Sequence, residues 1–470
     1  MVNEMVLKET LKYFAEQARN DFSAAEENLH KIILELKASE NKGLNYIETY
    51  DEENVRTQLT QLKSSEKKGR LFGVPITVKD AICVKGVESK AGSKILTGYK
   101  PTFDATVITK LKEEGAIILA KTTQDEFGFG TFNTNTEKVP KNPFDNERSC
   151  GGSSGGPAGF TAYTSRYHGA LGESTGGSIA CPSSFCGVTS LTPTYGLVSR
   201  YGLIDYANSM DKVGSVGRNI DDASLLLEII SGADEKDSTN LGEEFIADEG
   251  PTQKVAIIKD FFDNCDDSVK KVVQAKIDKM KEFIQVDEIE LPLNIKYSLA
   301  AYYIIATSEA STNLAKLSGL RYGKQKDPEG KHFDEYFSEI RSENFTEEAK
   351  RRIILGTFAR MSGFRDAYYL KAMKVRTKLI NEFKSAFSKY DLLLTPTMPI
   401  VAPKFDAIEQ LTPLQNYAMD LCTVPANLAG LPHASCNAGM SNGMPVGLMA
   451  IAPHLAETRL YSFGRIMEMK

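Results

Sequence analysis

The feature that most constrains this chain is a glycine- and serine-dominated stretch, SCGGSSGGPAGFTAYTSRYHGALGESTGGSIACPSSFCG, over residues 149–187. A flexible linker has this composition, but linkers do not carry Phe160, Tyr163, Tyr167, Ile179 and Phe185 among their glycines. Two Gly–Gly–Ser elements bracketing apolar residues describe backbone brought close to a ligand, where a Cβ would not fit. The stretch is not a phosphate cradle. No lysine follows the glycines as G-x-x-x-x-G-K-[ST] requires, and no G-x-G-x-x-G fingerprint occurs. What it offers is hydroxyls with small neighbours: the pair Ser153–Ser154 in GGSSGG, and Ser178 in TGGSI. Glycine amides in such turns can face a developing oxyanion.

A serine nucleophile needs a base. The chain has five histidines, none in a catalytic motif, and His168 between Tyr167 and Gly169 reads as structural. GGSSG (151–155) matches G-x-S-x-G, but no acid and histidine follow in convincing contexts. Lysine is the alternative. Lys79 ends the apolar run of VPITVKDAI, where a strand would bury it, and burial disfavours the charged amine. Moving a lysine from about 10.4 to about 7 costs roughly 4–5 kcal/mol, at about 1.4 per unit. A fold seldom tolerates that without using the free amine.

The surrounding pattern is that of an α/β protein. LFGVPITV (71–78), AIILAK (116–121), VAIIKD (255–260) and LLLTP (392–396) read as strands. Between them, apolar residues recur at helical spacing: Val107, Ile108 and Leu111; Ala223, Leu226, Leu227 and Ile230, with Asp221 or Asp222 as the cap; and Val269, Val272, Val273, Ile277 and Met280 within a helix over 267–284. Strands alternating with helices predict a layered fold. Residues 1–65 read as a helical layer, with Leu7, Leu11 and Phe14 on one stripe and Leu29, Ile32, Ile33 and Leu36 on another. Residues 66–470 read as the catalytic domain, within a single domain overall. The polar stretch 234–253 and the charged stretch 321–350 read as surface excursions.

Bulk properties narrow the function. A formal net charge of −6 gives no general attraction for nucleic acid. Seven cysteines without a C-x-x-C pair argue against a disulfide framework or a zinc site and fit a reducing cytoplasm. The N-terminus lacks the apolar core of a signal peptide, and no run of 18 apolar residues is present to span a membrane.

These residues resemble the amidase signature family, whose glycine/serine segment carries two catalytic serines and whose lysine lies upstream on a strand. The resemblance implies a large mixed β-sheet core covered by helices on both faces. It places the base on Lys79 and the nucleophile on Ser178, with the backbone of Thr175, Gly176, Gly177 and Ser178 as oxyanion hole. The family's relay serine, which follows a cis peptide, is the first serine of G-G-S-S-G-G, here Ser153. Counted back from Ser178, the family's usual spacing lands instead on Ser154, because this chain carries one residue more between the two elements. Motif outranks count, with Ser154 as runner-up. The family also has an acid and an arginine flanking the nucleophile, where this chain has Ser174 and Ala180, with Glu173 one place away. Losing both members of an ion pair leaves no unpaired buried charge.

The stretches 191–214, 302–323, 351–376, 391–399 and 420–432 are similar to the glutaminase subunits of tRNA-dependent amidotransferases, a branch of that family. That likeness implies a complex with subunits B and C. Glutamine is hydrolysed here, and ammonia is used on a partner subunit that consumes ATP with Mg. Misacylated Glu-tRNA(Gln) or Asp-tRNA(Asn) is reached only through the complex. No cofactor or metal is expected in this chain. By the same resemblance Arg352 and Asp420 hold the two ends of glutamine, and Phe129, in EFGFG, lines the pocket. The alternatives are a free-standing amidase acting on small amides and a catalytically dead binding subunit.

Overall fold

A computed structural model of the chain describes residues 10–248 and 254–469. Leu7 and the stretch 249–253 lie outside the described residues. The strands in chain order are β1 (Ile47–Thr49), β2 (Pro75–Lys79), β3 (Ile117–Thr122), β4 (Lys141–Asn142), β5 (Asp145–Ser149), β6 (Gly169–Ser174) and β7 (Thr189–Thr192). They continue as β8 (Lys212–Gly217), β9 (Lys254–Ile258), β10 (Gln285–Ile289), β11 (Leu392–Pro396), β12 (His433–Ser441) and β13 (Met444–Ile451). β4 and β5 form a separate hairpin; the other eleven build one sheet in the order β1-β3-β2-β6-β8-β7-β12-β13-β11-β9-β10. The sheet is mixed. β3, β2 and β6 run parallel, the strands from β6 to β11 pair antiparallel, and β11, β9 and β10 run parallel again.

Side-chain alternation shows that both faces are covered. On β3, Ile118 joins one apolar core while its neighbours Ile117 and Leu119 join another. On β6, Leu171 belongs to the first core and Ala170 to the second. Successive side chains of a strand point to opposite faces, so the two cores are the two sides of the sheet. This is why β2, β3 and β6 are buried at every residue, and why β2 and β3 lie in largely apolar runs.

The N-terminal layer feeds both cores. Helix α1 (Leu11–Asn20) places Leu11, Phe14, Ala15 and Ala18 in the first. Helix α2 (Ser23–Asn41) places Leu29, Ile32, Ile33 and Leu36 in the second. The stretch is not wholly helical, since β1 pairs antiparallel with β3 and ties the layer into the sheet. Helix α3 (Glu52–Lys63) follows, then α4 (Thr106–Glu113), α5 (Gly155–Tyr163), α6 (Ala180–Cys186) and α7 (Ile220–Ile230). The cap of α7 differs from expectation. Asn219 accepts the Asp222 amide at 2.8 Å, while the Asp222 carboxylate accepts the Leu11 amide at 2.7 Å.

Helices α8 (Asp267–Met280), α9 (Pro292–Asn313), α10 (Phe333–Asn344) and α11 (Glu347–Arg360) complete the part that matters for the site. The charged stretch 321–350 is therefore not a plain surface excursion. It contains α10, which buries only Tyr336 and Ile340, a stripe too narrow to stand out among charged residues. Helices α9 and α11 meet over a third apolar cluster holding Tyr302, Ile305, Ala306, Ala349, Phe127 and Phe129. Among the described residues no helix is long and apolar enough to cross a membrane.

The α9–α11 contact depends on Gly356. A Cβ there would lie 1.9 Å from the Thr307 carbonyl oxygen and 2.4 Å from its carbon. Backbone cannot yield as a side chain can, so Gly356→Ala should force the helices apart at about 1–3 kcal/mol. Because Arg352 sits one turn earlier on α11, the same variant should raise KM for the substrate that the site binds. Thermal unfolding and steady-state kinetics check both effects.

Candidate active site

The three parallel strands β3, β2 and β6 end at one edge of the sheet, the place where α/β sheets commonly bind ligands. β2 ends on Lys79, β6 runs through Glu173 into the turn 174–178, and the chain leaving β3 forms the loop 123–130. Lys79 is fully buried, as its position in an apolar run predicts. Its Nζ donates to Ser153 Oγ at 2.7 Å, to Glu173 Oε2 at 2.8 Å and to the Glu173 carbonyl at 2.9 Å. The Gly152–Ser153 peptide is cis. Ser154 faces elsewhere, its Oγ donating to the Glu173 carbonyl at 3.1 Å. The geometry thus brings Ser153, rather than Ser154, onto the lysine. The residue count runs from this element through α5 and β6 to Ser178 and lands one place off.

Asp125 anchors the loop opposite. Its carboxylate accepts the Asn133 and Asn135 amides, each at 2.9 Å, and a Cβ on Gly152 would lie 2.3 Å from it. Burial pushes this carboxyl up to about 7, against the pull of those amides and of Lys79. His168 is remote in function: it lies buried between Thr77, at 3.0 Å, and Thr161, at 3.4 Å. Burial, helped by Arg218, holds it neutral by lowering it to about 3.

The turn carrying Ser178 is tight for visible reasons. A Cβ on Gly176 would meet the Tyr302 ring at 2.5 Å, and one on Gly177, at φ +146°, would meet Thr423 Oγ1 at 2.2 Å. Ser174 steadies the turn: its hydroxyl accepts the Gly177 amide at 3.2 Å and donates to Asn427 Oδ1 at 3.2 Å. The Gly177 amide, nominated for the oxyanion hole, is thus engaged by Ser174. Thr175 turns its hydroxyl to two carboxylates, Glu173 and Asp211, each at 2.8 Å.

Ser178 opens onto a cavity lined by Gly128, Gly130, Gly152, Gly176, Gly177, Tyr302, Tyr303, Arg352 and Asp420. Arg352 is buried rather than a surface charge of its KRRI string. Its Nε donates to Glu348 at 2.7 Å and its NH1 to the Tyr206 hydroxyl at 2.6 Å. The guanidinium lies 5.1 Å from the Phe129 ring centroid and 5.4 Å from those of Tyr303 and Tyr417, a cation–π cage. Phe129 therefore supports Arg352 from behind instead of lining the cavity. Asp420 accepts the Tyr303 hydroxyl at 2.7 Å. Burial raises its carboxyl to about 6, against the hydrogen bonds of Tyr303 and Thr131 and the charge of Arg352.

The cavity wall carries a hydroxyl, Ser178, a cation, Arg352, and a carboxylate, Asp420. Such a site suits a small zwitterion with a reactive carbonyl. Sequence reasoning missed Glu173 as a partner of Lys79, and Tyr206, Tyr302, Tyr303, Tyr417 and Glu348 as the frame of Arg352 and Asp420. These come from separate segments, and no local motif links them. Among the described residues no group of three or more His, Cys, Asp or Glu side chains is placed to hold a metal.

Known proteins agree with this architecture. In Archaeoglobus fulgidus, the A subunit of glutamyl-tRNA(Gln) amidotransferase is 49% identical over 399 residues, covering 84% of this chain and 86% of the relative. Its counterpart in Halothermothrix orenii is 44% identical over 416 residues, 86% of each. The solved structure of the corresponding protein from Thermotoga maritima superposes with a TM-score of 0.79 at 34% identity, covering 98% of this chain and 94% of that one. A 6-aminohexanoate cyclic dimer hydrolase shares the fold at 20% identity, with a TM-score of 0.84, so the fold alone does not select the amide. The model of the Amidase family matches residues 31–461, and the chain belongs to that family.

Proposed function

We propose that this chain is the glutaminase subunit of a tRNA-dependent amidotransferase. The observation that carries the reading is the 2.7 Å contact of buried Lys79 with Ser153, next to Gly152 in the wall of a cavity that Ser178, Arg352 and Asp420 also line. The names of the Archaeoglobus fulgidus and Halothermothrix orenii relatives, both glutamyl-tRNA(Gln) amidotransferase A subunits, support the reading.

In this reading glutamine lies with its α-carboxylate on Arg352, its α-ammonium on Asp420 and its side-chain amide at Ser178. Lys79, in its neutral form, takes a proton from Ser153 as Ser153 takes one from Ser178, and Ser178 Oγ attacks the amide carbon. Backbone amides of the Thr175–Ser178 turn other than that of Gly177, which Ser174 holds, receive the oxyanion. The proton returns through Ser153 to the departing nitrogen, ammonia leaves, and water hydrolyses the glutamyl ester by the same relay. Ammonia then serves subunits B and C, where ATP and Mg activate the glutamate or aspartate misacylated on tRNA. A cytoplasmic location and contact with tRNA only through the complex belong to this proposal.

Ser178→Ala should abolish glutamine hydrolysis while leaving amidation driven by free ammonia in the assembled complex. Retained glutamine-dependent activity near wild type would sink the assignment. Ser153→Ala should match it in severity. Ser154→Ala loses one hydrogen bond to the Glu173 carbonyl and should cost about 1 kcal/mol of stability with a far smaller loss of rate.

Substrate binding carries its own pH signature. Asp420 holds an ammonium only as a carboxylate, and its carboxyl is raised to about 6. As pH falls through about 6 it gains a proton and stops attracting the substrate cation. KM for glutamine should therefore rise below pH 6, while KM for a simple aliphatic amide without an α-amino group stays flat. Parallel curves for the two substrates would remove Asp420 from substrate binding and favour a general amidase.

A further inference from the structure

We infer that Glu173 is a fourth member of the relay, a positioning residue whose Oε2 takes a proton from the Lys79 ammonium before Ser178 attacks. The inference rests on the proposed roles of Lys79, Ser153 and Ser178 and adds a step to them. It starts from the number of hydrogens. An ammonium has three donors and no acceptor, and Lys79 Nζ has three acceptors around it: Ser153 Oγ, Glu173 Oε2 and the Glu173 carbonyl. Three acceptors around one Nζ match the three hydrogens of an ammonium. A base needs a lone pair aimed at Ser153, so one proton must leave first. Lys79 is fully buried and Glu173 nearly so, which leaves bulk water no direct contact with Nζ.

The other ionisable groups nearby are committed. Asp125 faces the pair from the loop after β3 and accepts two backbone amides. Asp80, next in sequence, binds Lys121 and the Lys90 and Gly92 amides. Arg352 on α11 binds Glu348 and Tyr206. Lys212 on β8 donates to the Leu431 carbonyl. Asp211, before β8, accepts the Tyr206 and Ala207 amides and meets Thr175 Oγ1.

Thr175 fixes the charge of the pair. Its hydroxyl lies 2.8 Å from both Glu173 Oε1 and Asp211 Oδ1, yet it carries one hydrogen. Both contacts are hydrogen bonds when one carboxyl brings a second hydrogen. Asp211 is the one that does so: burial, with the Glu173 charge beside it, pushes its carboxyl well above the usual range. Asp211 then donates to Thr175, Thr175 donates to Glu173, and Glu173 remains the single anion facing Lys79.

The balance closes without another reactant. An N–H bond of the Lys79 ammonium breaks as an O–H bond forms on Glu173 Oε2, turning a buried ion pair into a neutral amine and acid. Burying two charges is itself expensive, which narrows the gap between these forms. When Ser178 attacks, its proton moves to Ser153 and that of Ser153 to Lys79. The same two transfers reverse to protonate the departing nitrogen, and Glu173 keeps its proton until the cycle ends, when it returns to Lys79.

Glu173→Gln keeps the shape of the side chain and one acceptor oxygen, turns the other oxygen into an NH2 donor, and cannot accept the proton. In the full chain, with its co-purifying subunits, it should lower kcat/KM for glutamine at neutral pH by about 100-fold. The loss should shrink as pH rises, with the acid limb of the profile displaced upward by roughly one pH unit or more. Asp125 titrates in variant and wild type alike, so the difference between profiles removes it. Glu173→Asp should retain the wild-type limb at a reduced rate. A Gln variant whose limb is unmoved, or moved to lower pH as loss of a mere counter-ion would do, overturns the inference. So does an Asp variant whose limb moves upward, and that variant decides alone if the Gln protein fails to fold. Activity in Ser178→Ala would instead overturn the underlying reading, so the two failures are separable.

Discussion

Lys79 has an amine with no exposure to water, and much of the site follows from accommodating it. An isolated ammonium in such a place is untenable, so acceptors must converge on its Nζ. The parallel pairing of β2 with β6 brings Glu173 beside it. The cis peptide element at Gly152–Ser153 brings a hydroxyl to its third hydrogen. The glycines that crowd this region serve that convergence: Gly152 lies against Asp125, Gly176 against Tyr302 and Gly177 against Thr423. None of these positions has room for a side chain.

The Arg352 part of the cavity wall solves the opposite problem, keeping a cation available to a ligand rather than neutralised. Glu348 takes Arg352 Nε, and aromatic faces, not further carboxylates, surround the guanidinium. The cage fixes the plane of the fork, which a bidentate contact with a carboxylate requires. Asp420 is held by one tyrosine hydroxyl. The two charges are presented by α11 and by the chain just before the Val424–Leu428 helix, both resting on α9. Packing of that helical layer therefore sets substrate geometry while the sheet edge sets the chemistry.

How much of this was legible in the sequence depended on the range of the interaction. Lys79 could be read because its burial is local, an apolar run that ends in a lysine. Ser153 could be chosen over Ser154 because the glycine motif is local too, whereas the residue count ran through α5 and β6. The strand runs 116–121 and 392–396 fall on β3 and β11 because strands buried on both faces need continuous apolar residues. Glu173 was invisible as a partner because its role depends on how β6 registers against β2. The tyrosines around Arg352 belong to segments that meet only in the folded chain, and Phe129 was placed on the cavity wall because nothing local shows which way its ring turns. β1 escaped notice because three edge residues carry no periodicity, and α10 because its buried stripe is two residues wide.

The central claim is that Ser178 carries the acyl group. Acid quench of the enzyme during turnover of isotopically labelled glutamine, followed by peptide mapping, tests it most directly. The account predicts a labelled glutamyl ester on the peptide containing Ser178, lost on treatment with hydroxylamine and absent in Ser153→Ala. Label on Cys181, on Lys79 or on any peptide outside the turn 174–178 would contradict it.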